Sequence, residues 1–242
     1  MTNIYSLLLI LLIIYLTNIV QTITGFAGSM LAMPFLLMLM NMSDAKILII
    51  LVGVVWSIWM LGQNFNKVNW KFVWLLSLAM TIGIIIGIFL LKVVSLKLVI
   101  FLMGIIIIIS ALKNLFFAKL KTTNKFWDVL FGVSSGVMQA MVLMGGPFLV
   151  LVADNYLKDR EEYRTTLAVL WLVINFVLLF IYWMQNLYTI QIFELSFVSV
   201  IPLLLAIFTG NALNKKINNR QFQILVNILL IVSGLLMFSK LL

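Results

Sequence analysis

The chain has 242 residues, 64% of them hydrophobic and 10% charged, with 16 lysines and arginines against 7 aspartates and glutamates. So little polar surface excludes a soluble globule. The sequence holds no cysteine and no histidine, which removes disulfides, thiolate chemistry, histidine ligation of haem and the usual zinc sites.

Charge is confined to the gaps between apolar runs. Uncharged stretches cover 1–43, 47–66, 72–91, 98–112, 129–153, 165–193, 195–214 and 221–239. Most fit the roughly 20 apolar residues that carry a helix across the hydrocarbon core. The alternation of a β-barrel strand is missing. The net charge of +9 therefore reads as orientation charge in cytoplasmic loops rather than as a nucleic-acid surface. Met1 to Val20 has neither a basic n-region nor a small-residue cleavage site and reads as a retained span.

The first run, 1–43, would measure about 65 Å as one helix, twice the core thickness. A break near Gly25–Ser29 turns it into a hairpin over 3–42, with legs at about 3–24 and 29–42. Spans at 45–66, 69–91 and 96–117 follow, the last lengthened by snorkelling of Lys97 and Lys113, and complete a first repeat over 1–118. After a cytoplasmic linker at 119–125, a second repeat over 126–242 opens with a hairpin at 126–155, broken at Gly145-Gly146-Pro147. Spans at 163–185, 190–214 and 220–241 complete it, with Pro202 as a packing kink.

Loop charges orient these elements. Lys113, Lys119, Lys121 and Lys125 mark one loop as cytoplasmic, and Lys158, Arg160 and Arg164 mark the next. The hydrophobic block between them must then enter and return on one side. The 186–193 loop has no lysine or arginine, and 215–220 has Lys215, Lys216 and Arg220. Counting back puts 42–46 and both termini outside, although Lys92 and Lys97 on that side equal Lys67 and Lys71 inside. The predicted fold is an all-α polytopic membrane protein of two inverted repeats, each a broken-helix hairpin followed by three transmembrane helices. Alternating-access transporters have this architecture, with the site where the repeats meet.

The two breaks are the most informative motifs. One reads Gln21-Thr22-Ile23-Thr24-Gly25-Phe26-Ala27-Gly28-Ser29 and runs on to Pro34. The other reads Ser134-Ser135-Gly136-Val137-Met138-Gln139, then Gly145-Gly146-Pro147, 113 residues further on. A helix that restarts inside a membrane exposes backbone N–H groups carrying about half a positive charge, and these bind anions without a lysine. Gly28, Ser29 and Met30 offer such amides at the first break, and Gly145 and Gly146 at the second. Gln21, Thr24, Ser29, Ser134, Ser135 and Gln139 add side-chain donors, Gly25 loosens the turn, and Pro34 and Pro147 act as helix breakers. The alternative for each small residue is close helix packing.

Lys46 and Arg164 open the helices after the two hairpins and either draw an anion into a vestibule or snorkel at a helix end. Asn175, with Ser57 at the matching place, faces either the site or a neighbouring helix. Asp44, Asp128, Asp154 and Glu194 all lie at segment ends, so no mid-membrane acid is expected to couple protons or sodium. A potential of 100 mV, worth about 2.3 kcal/mol per charge, would then suffice to drive a monoanion out. An enzyme is not expected, for want of a Ser/His pair or paired acids, and neither is a cofactor or metal. The expected partners are a small anion and the bilayer, with a homodimer left open.

Together the two breaks resemble the signatures of the sulfite exporter TauE/SafE family. Arg160-Glu161-Glu162-Tyr163-Arg164-Thr165-Thr166-Leu167 is also similar to that family's basic approach to the next helix. Ala27 stands where many members carry a third glycine. The resemblance covers nearly the whole chain. It implies export or exchange of a small sulfur-containing or carboxylated anion at a prokaryotic plasma membrane. A proton- or sodium-coupled importer or exchanger and a non-transporting membrane scaffold stand as the other readings.

Overall fold

A computed structural model describes residues 4–116, 124–157 and 159–216, together with the helical positions Ile224, Ile228, Ile231 and Leu235. Most of the predicted 119–125 linker, Lys158, and the rest of the predicted 220–241 span lie outside the described residues. Ten α-helices occupy the described part: α1 Ile4–Thr24, α2 Gly28–Leu36, α3 Met42–Asn64, α4 Trp70–Val93, α5 Leu96–Phe116, α6 Lys125–Val142, α7 Gly146–Tyr156, α8 Arg160–Met184, α9 Ile190–Val198 and α10 Val200–Lys216. The described residues contain no strand. Five stretches are long and apolar enough to cross a membrane: 4–24, 42–67, 70–93, 160–184 and 190–215. The chain is a multi-pass helical membrane protein.

Local chemistry sets the helix ends. Asn41 Oδ1 accepts from Asp44 N (2.8 Å) to start α3, and Asp159 Oδ2 accepts from Glu162 N (3.0 Å) to start α8. The predicted 190–214 span is interrupted at Ser199, between α9 and α10. Pro202 accounts for this, because it has no N–H to offer the preceding turn.

The chain divides into two compact units. The first comprises Met1–Val73 and Asp159–Lys215. Its spine is an antiparallel pairing of α3 with α8, in which Gly53 meets Asn175, Met60 meets Arg164, and Asn64 Nδ2 donates to Glu161 Oε2 (3.0 Å). Trp56, Leu48, Leu167, Leu170 and Ile174 fill the core. One end of the unit is polar: Asn69 Nδ2 donates to Glu162 Oε1 (3.3 Å), Lys67 pairs with Asp159 (3.7 Å), and Arg160 donates to Asn214 O (3.4 Å). The Glu162 amide, and after it Lys67, hold the Asp159 carboxyl below its ordinary range. Such a group stabilises the fold above its unfolded-state value and loses that contribution as pH falls through its folded value. Wild-type protein should therefore melt at lower temperature on acidification through this window, and Asp159→Ala should lack that increment, as melting curves at several pH values will read.

The second unit comprises Trp74–Lys158 and Lys216–Leu242. Here α4 and α6 run parallel and touch through glycines, Gly83 and Gly87 on one helix, Gly132 and Gly136 on the other. An added methyl at Gly83 would fall on Val133 O, and one at Gly136 on Met80 O. Backbones this close gain dispersion and weak Cα–H···O contacts, which serve helix association where the lipid is as apolar as the protein. On α4, Trp74, Leu78, Ile82, Ile85 and Phe89 are exposed, as suits a lipid-facing surface.

Candidate functional site: two tied helix crossovers

In the first unit the crossover from α1 to α2 is built by four predicted residues. Gly25 turns the chain at φ +84°, a conformation open to glycine at no steric cost. Thr24 Oγ1 accepts from Phe26 N (3.3 Å) and Ala27 N (3.2 Å). Gln21 reaches across the turn, its Oε1 accepting from Gly28 N (2.7 Å) and its Nε2 donating to Gly25 O (3.4 Å). Gly28 must be glycine for this, since a Cβ would stand 2.6 Å from Gln21 Cβ. Trp171 Nε1, from α8, also donates to Gly25 O (2.9 Å), and Trp56 Nε1, from α3, donates to Thr22 Oγ1 (3.1 Å).

The crossover from α6 to α7, in the second unit, repeats this chemistry. Leu143 turns the chain at φ 56°, with its N–H on Gln139 O (3.0 Å) and Met144 N on Met138 O (3.3 Å). That is an αL helix ending with leucine where glycine is usual, a left-handed conformation costing about 1–2 kcal/mol. The Leu143 side chain is fully buried, which offsets the strain. Gln139 Oε1 accepts from Gly145 N (3.0 Å), and Ser135 Oγ donates to Gly145 O (2.8 Å).

The register of the two breaks differs from the sequence expectation. Matching by prolines gave an interval of 113, but the left-handed residues Gly25 and Leu143, and the ties Gln21 and Gln139, are 118 residues apart. The prolines are not equivalent. Pro147 sits in the first turn of α7, whereas Pro34 lies inside α2 and is not the breaker of the first hairpin.

The expected donors are thus partly spent. Gly28 N–H and Gly145 N–H are held by the glutamines. Among the described residues, Met30 N–H, Gly146 N–H, Phe148 N–H and Gln139 Nε2 have no acceptor, and Met30, Gly146 and Gln139 are buried. Ser29 is half-buried beside the first crossover, and Ser134 is half-buried on α6 and takes no part in the second crossover's hydrogen bonds.

Arg164 does not snorkel outward. It is buried, its Nη2 donates to Asn211 Oδ1 (2.8 Å), its Nη1 lies 3.5 Å from Glu161 Oε1, and its Nε has no partner among the described residues. Its Cα stands beside the Gly25 turn. Lys46, the fifth residue of α3, is likewise buried. Asn175 is buried opposite Gly53 without a hydrogen bond among the described residues, and Ser57 Oγ is buried unpartnered. One acid departs from expectation: Asp128, placed by sequence at an ordinary segment end, is completely enclosed. Trp56, Trp171 and Asn211 were not anticipated, because their partners lie tens of residues away and leave no local pattern. The glycine pairs 83/87 and 132/136 did leave one, a small-xxx-small spacing on each helix.

Residues 10–237, nearly the whole chain, match the model of the family described as Sulfite exporter TauE/SafE. No curated protein and no solved structure matches the chain.

Proposed function

We propose that this chain, which belongs to the sulfite exporter TauE/SafE family and is a multi-pass membrane transporter, exports a small sulfur-containing or carboxylated anion by alternating access across the plasma membrane of a prokaryote. The observation that carries this reading is the pair of crossovers, each with a left-handed turn and a glutamine holding an amide where the helix restarts, that of Gly28 in α2 and that of the N-cap Gly145 before α7. Tying one amide fixes the direction of those that follow it. Preorganised amides at a helix start bind sulfonyl or carboxylate oxygens without a net protein charge.

An inverted repeat is supported by the same interval of 118 residues elsewhere. It relates the caps Asn41 and Asp159, the buried cations Lys46 and Arg164, and the buried polar residues Ser57 and Asn175. The antiparallel run of α3 against α8 is what a two-fold axis in the membrane plane requires of equivalent helices. With the polar end of the first unit, where Lys67 and Arg160 lie, read as cytoplasmic, both termini are proposed to lie outside.

Thermal denaturation of purified protein with sulfite, thiosulfate, methanesulfonate and small carboxylates tests the ligand class. A true ligand at a hundred times its Kd adds about 2.7 kcal/mol and raises the melting temperature. No stabilisation by any member of the panel would contradict the reading.

A further inference from the structure

Arg164, the fifth residue of α8, stands beside the Gly25 turn with only 4% of its side chain exposed. Of its N–H donors, Nη2 gives to Asn211 Oδ1 (2.8 Å) and to the Met60 sulfur (3.9 Å), a weak acceptor. Nε is buried and has no partner among the described residues. Nη1 has only Glu161 Oε1, at 3.5 Å, well beyond the roughly 2.7–2.9 Å of a charge-assisted hydrogen bond. The Glu161 carboxylate is held elsewhere: its Oε2 accepts from Asn64 Nδ2 (3.0 Å), and 38% of its side chain is exposed. No aspartate or glutamate falls in the segments outside the described residues, and within them Glu161 alone pairs with Arg164. The guanidinium is therefore enclosed among α3, α8 and α10 with one loose, part-exposed carboxylate for a counter-ion. Enclosing a cation and stranding one of its N–H groups is costly unless an anion completes the set.

We propose that Arg164 is an oxyanion subsite for the carboxylate, sulfite or sulfonate group of the solute, with Glu161 as the counter-ion of the empty site. Such a group brings two or three acceptor oxygens on one centre. That is enough for the stranded Nε–H and for Nη2, whose second partner is only a thioether. As the anion binds, its charge repels Glu161, whose exposed side turns to water. Backbone amides orient oxygens but carry no net charge; the guanidinium supplies one, and so selects an anion over a neutral solute of the same shape. That the bound group belongs to a cargo rests on the transport reading, while the subsite itself does not.

Calorimetric titration of purified protein with sulfite and methanesulfonate, in non-ionic detergent free of anionic lipid, reads the subsite directly. Glu161→Gln keeps an oxygen for Asn64 and removes the competing charge, so its Kd should fall by about tenfold. Arg164→Lys keeps a charge but loses the fork, so its Kd should rise by about tenfold or more. Methanesulfonamide, neutral and nearly the shape of methanesulfonate, should not compete in wild type. An ion pair that serves structure alone gives another pattern: Glu161→Gln melts at lower temperature and binds as wild type does, which overturns the subsite. If Arg164→Lys does not fold, Glu161→Gln and the methanesulfonamide competition still decide. Efflux from proteoliposomes separates this outcome from the transport reading. Efflux by wild type with the same Kd in wild type and Glu161→Gln overturns the subsite and leaves transport standing. The expected changes in Kd without efflux of any anion in the panel keep the subsite and defeat the cargo assignment together with the transport reading. No binding of either anion to wild type or to Glu161→Gln overturns the subsite.

Discussion

Alanine at Gly136 is expected to unseat α4 from α6 and to produce one of the largest losses of stability of any single methyl group added to this chain. The new Cβ would fall on the backbone oxygen of Met80, and backbone cannot swing aside as a flexible side chain can. Gly83→Ala drives the same contact apart from the other helix, against Val133 O. Overpacking usually costs about 1–3 kcal/mol, and a clash of two backbones puts these variants near the upper end. Gly62→Ala is the control. No atom lies within 4 Å of its added Cβ, so it should be neutral or stabilise α3 by up to about 1 kcal/mol through helix propensity. Melting curves of the three variants in one detergent check the ranking, and equal melting temperatures would contradict the close packing.

The second large effect concerns charge at the crossovers. Gln21→Glu and Gln139→Glu keep an acceptor oxygen for Gly28 N–H and Gly145 N–H, so each turn stays tied. Each also places a negative charge where the anion is to be held. Flux should fall at least tenfold, the ratio that about 1.4 kcal/mol of lost binding gives, while melting temperature changes little. Gln21→Leu and Gln139→Leu should behave differently. They strand a buried N–H, which costs about 1–3 kcal/mol, and so lose stability and flux together. A purely structural glutamine predicts the opposite split, with glutamate tolerated in both assays.

Much of this architecture was legible from residue order. Uncharged runs located the spans, and the excess length of 1–43 required a break that the structure places at Gly25. Gln21 and Gln139 read from sequence as donors to substrate, and the structure adds what sequence does not show, that their side-chain oxygens accept from their own backbone. The register is hard to read from sequence because prolines are conspicuous, whereas a left-handed leucine is not. Leu143 adopts a glycine's conformation only because its side chain has a buried place to go, which is tertiary information. The enclosure of Asp128 was illegible for the same reason. Its position at the start of a helix is readable, but the tyrosine covering it comes from 28 residues away. Arg164 likewise looked like any cation at a helix end until Asn211 and Met60 closed around it.

Tied helix crossovers are proposed to hold a small anion and pass it across the membrane. Efflux of entrapped sulfite and methanesulfonate from proteoliposomes tests it most directly, with wild type, Gln21→Glu and Gln139→Glu compared at equal protein content. Wild type should release at least one of the two anions faster than protein-free vesicles, and both folded variants should fall back toward the protein-free rate. Release by the glutamate variants at the wild-type rate, or no release above protein-free vesicles by wild type, would contradict the account.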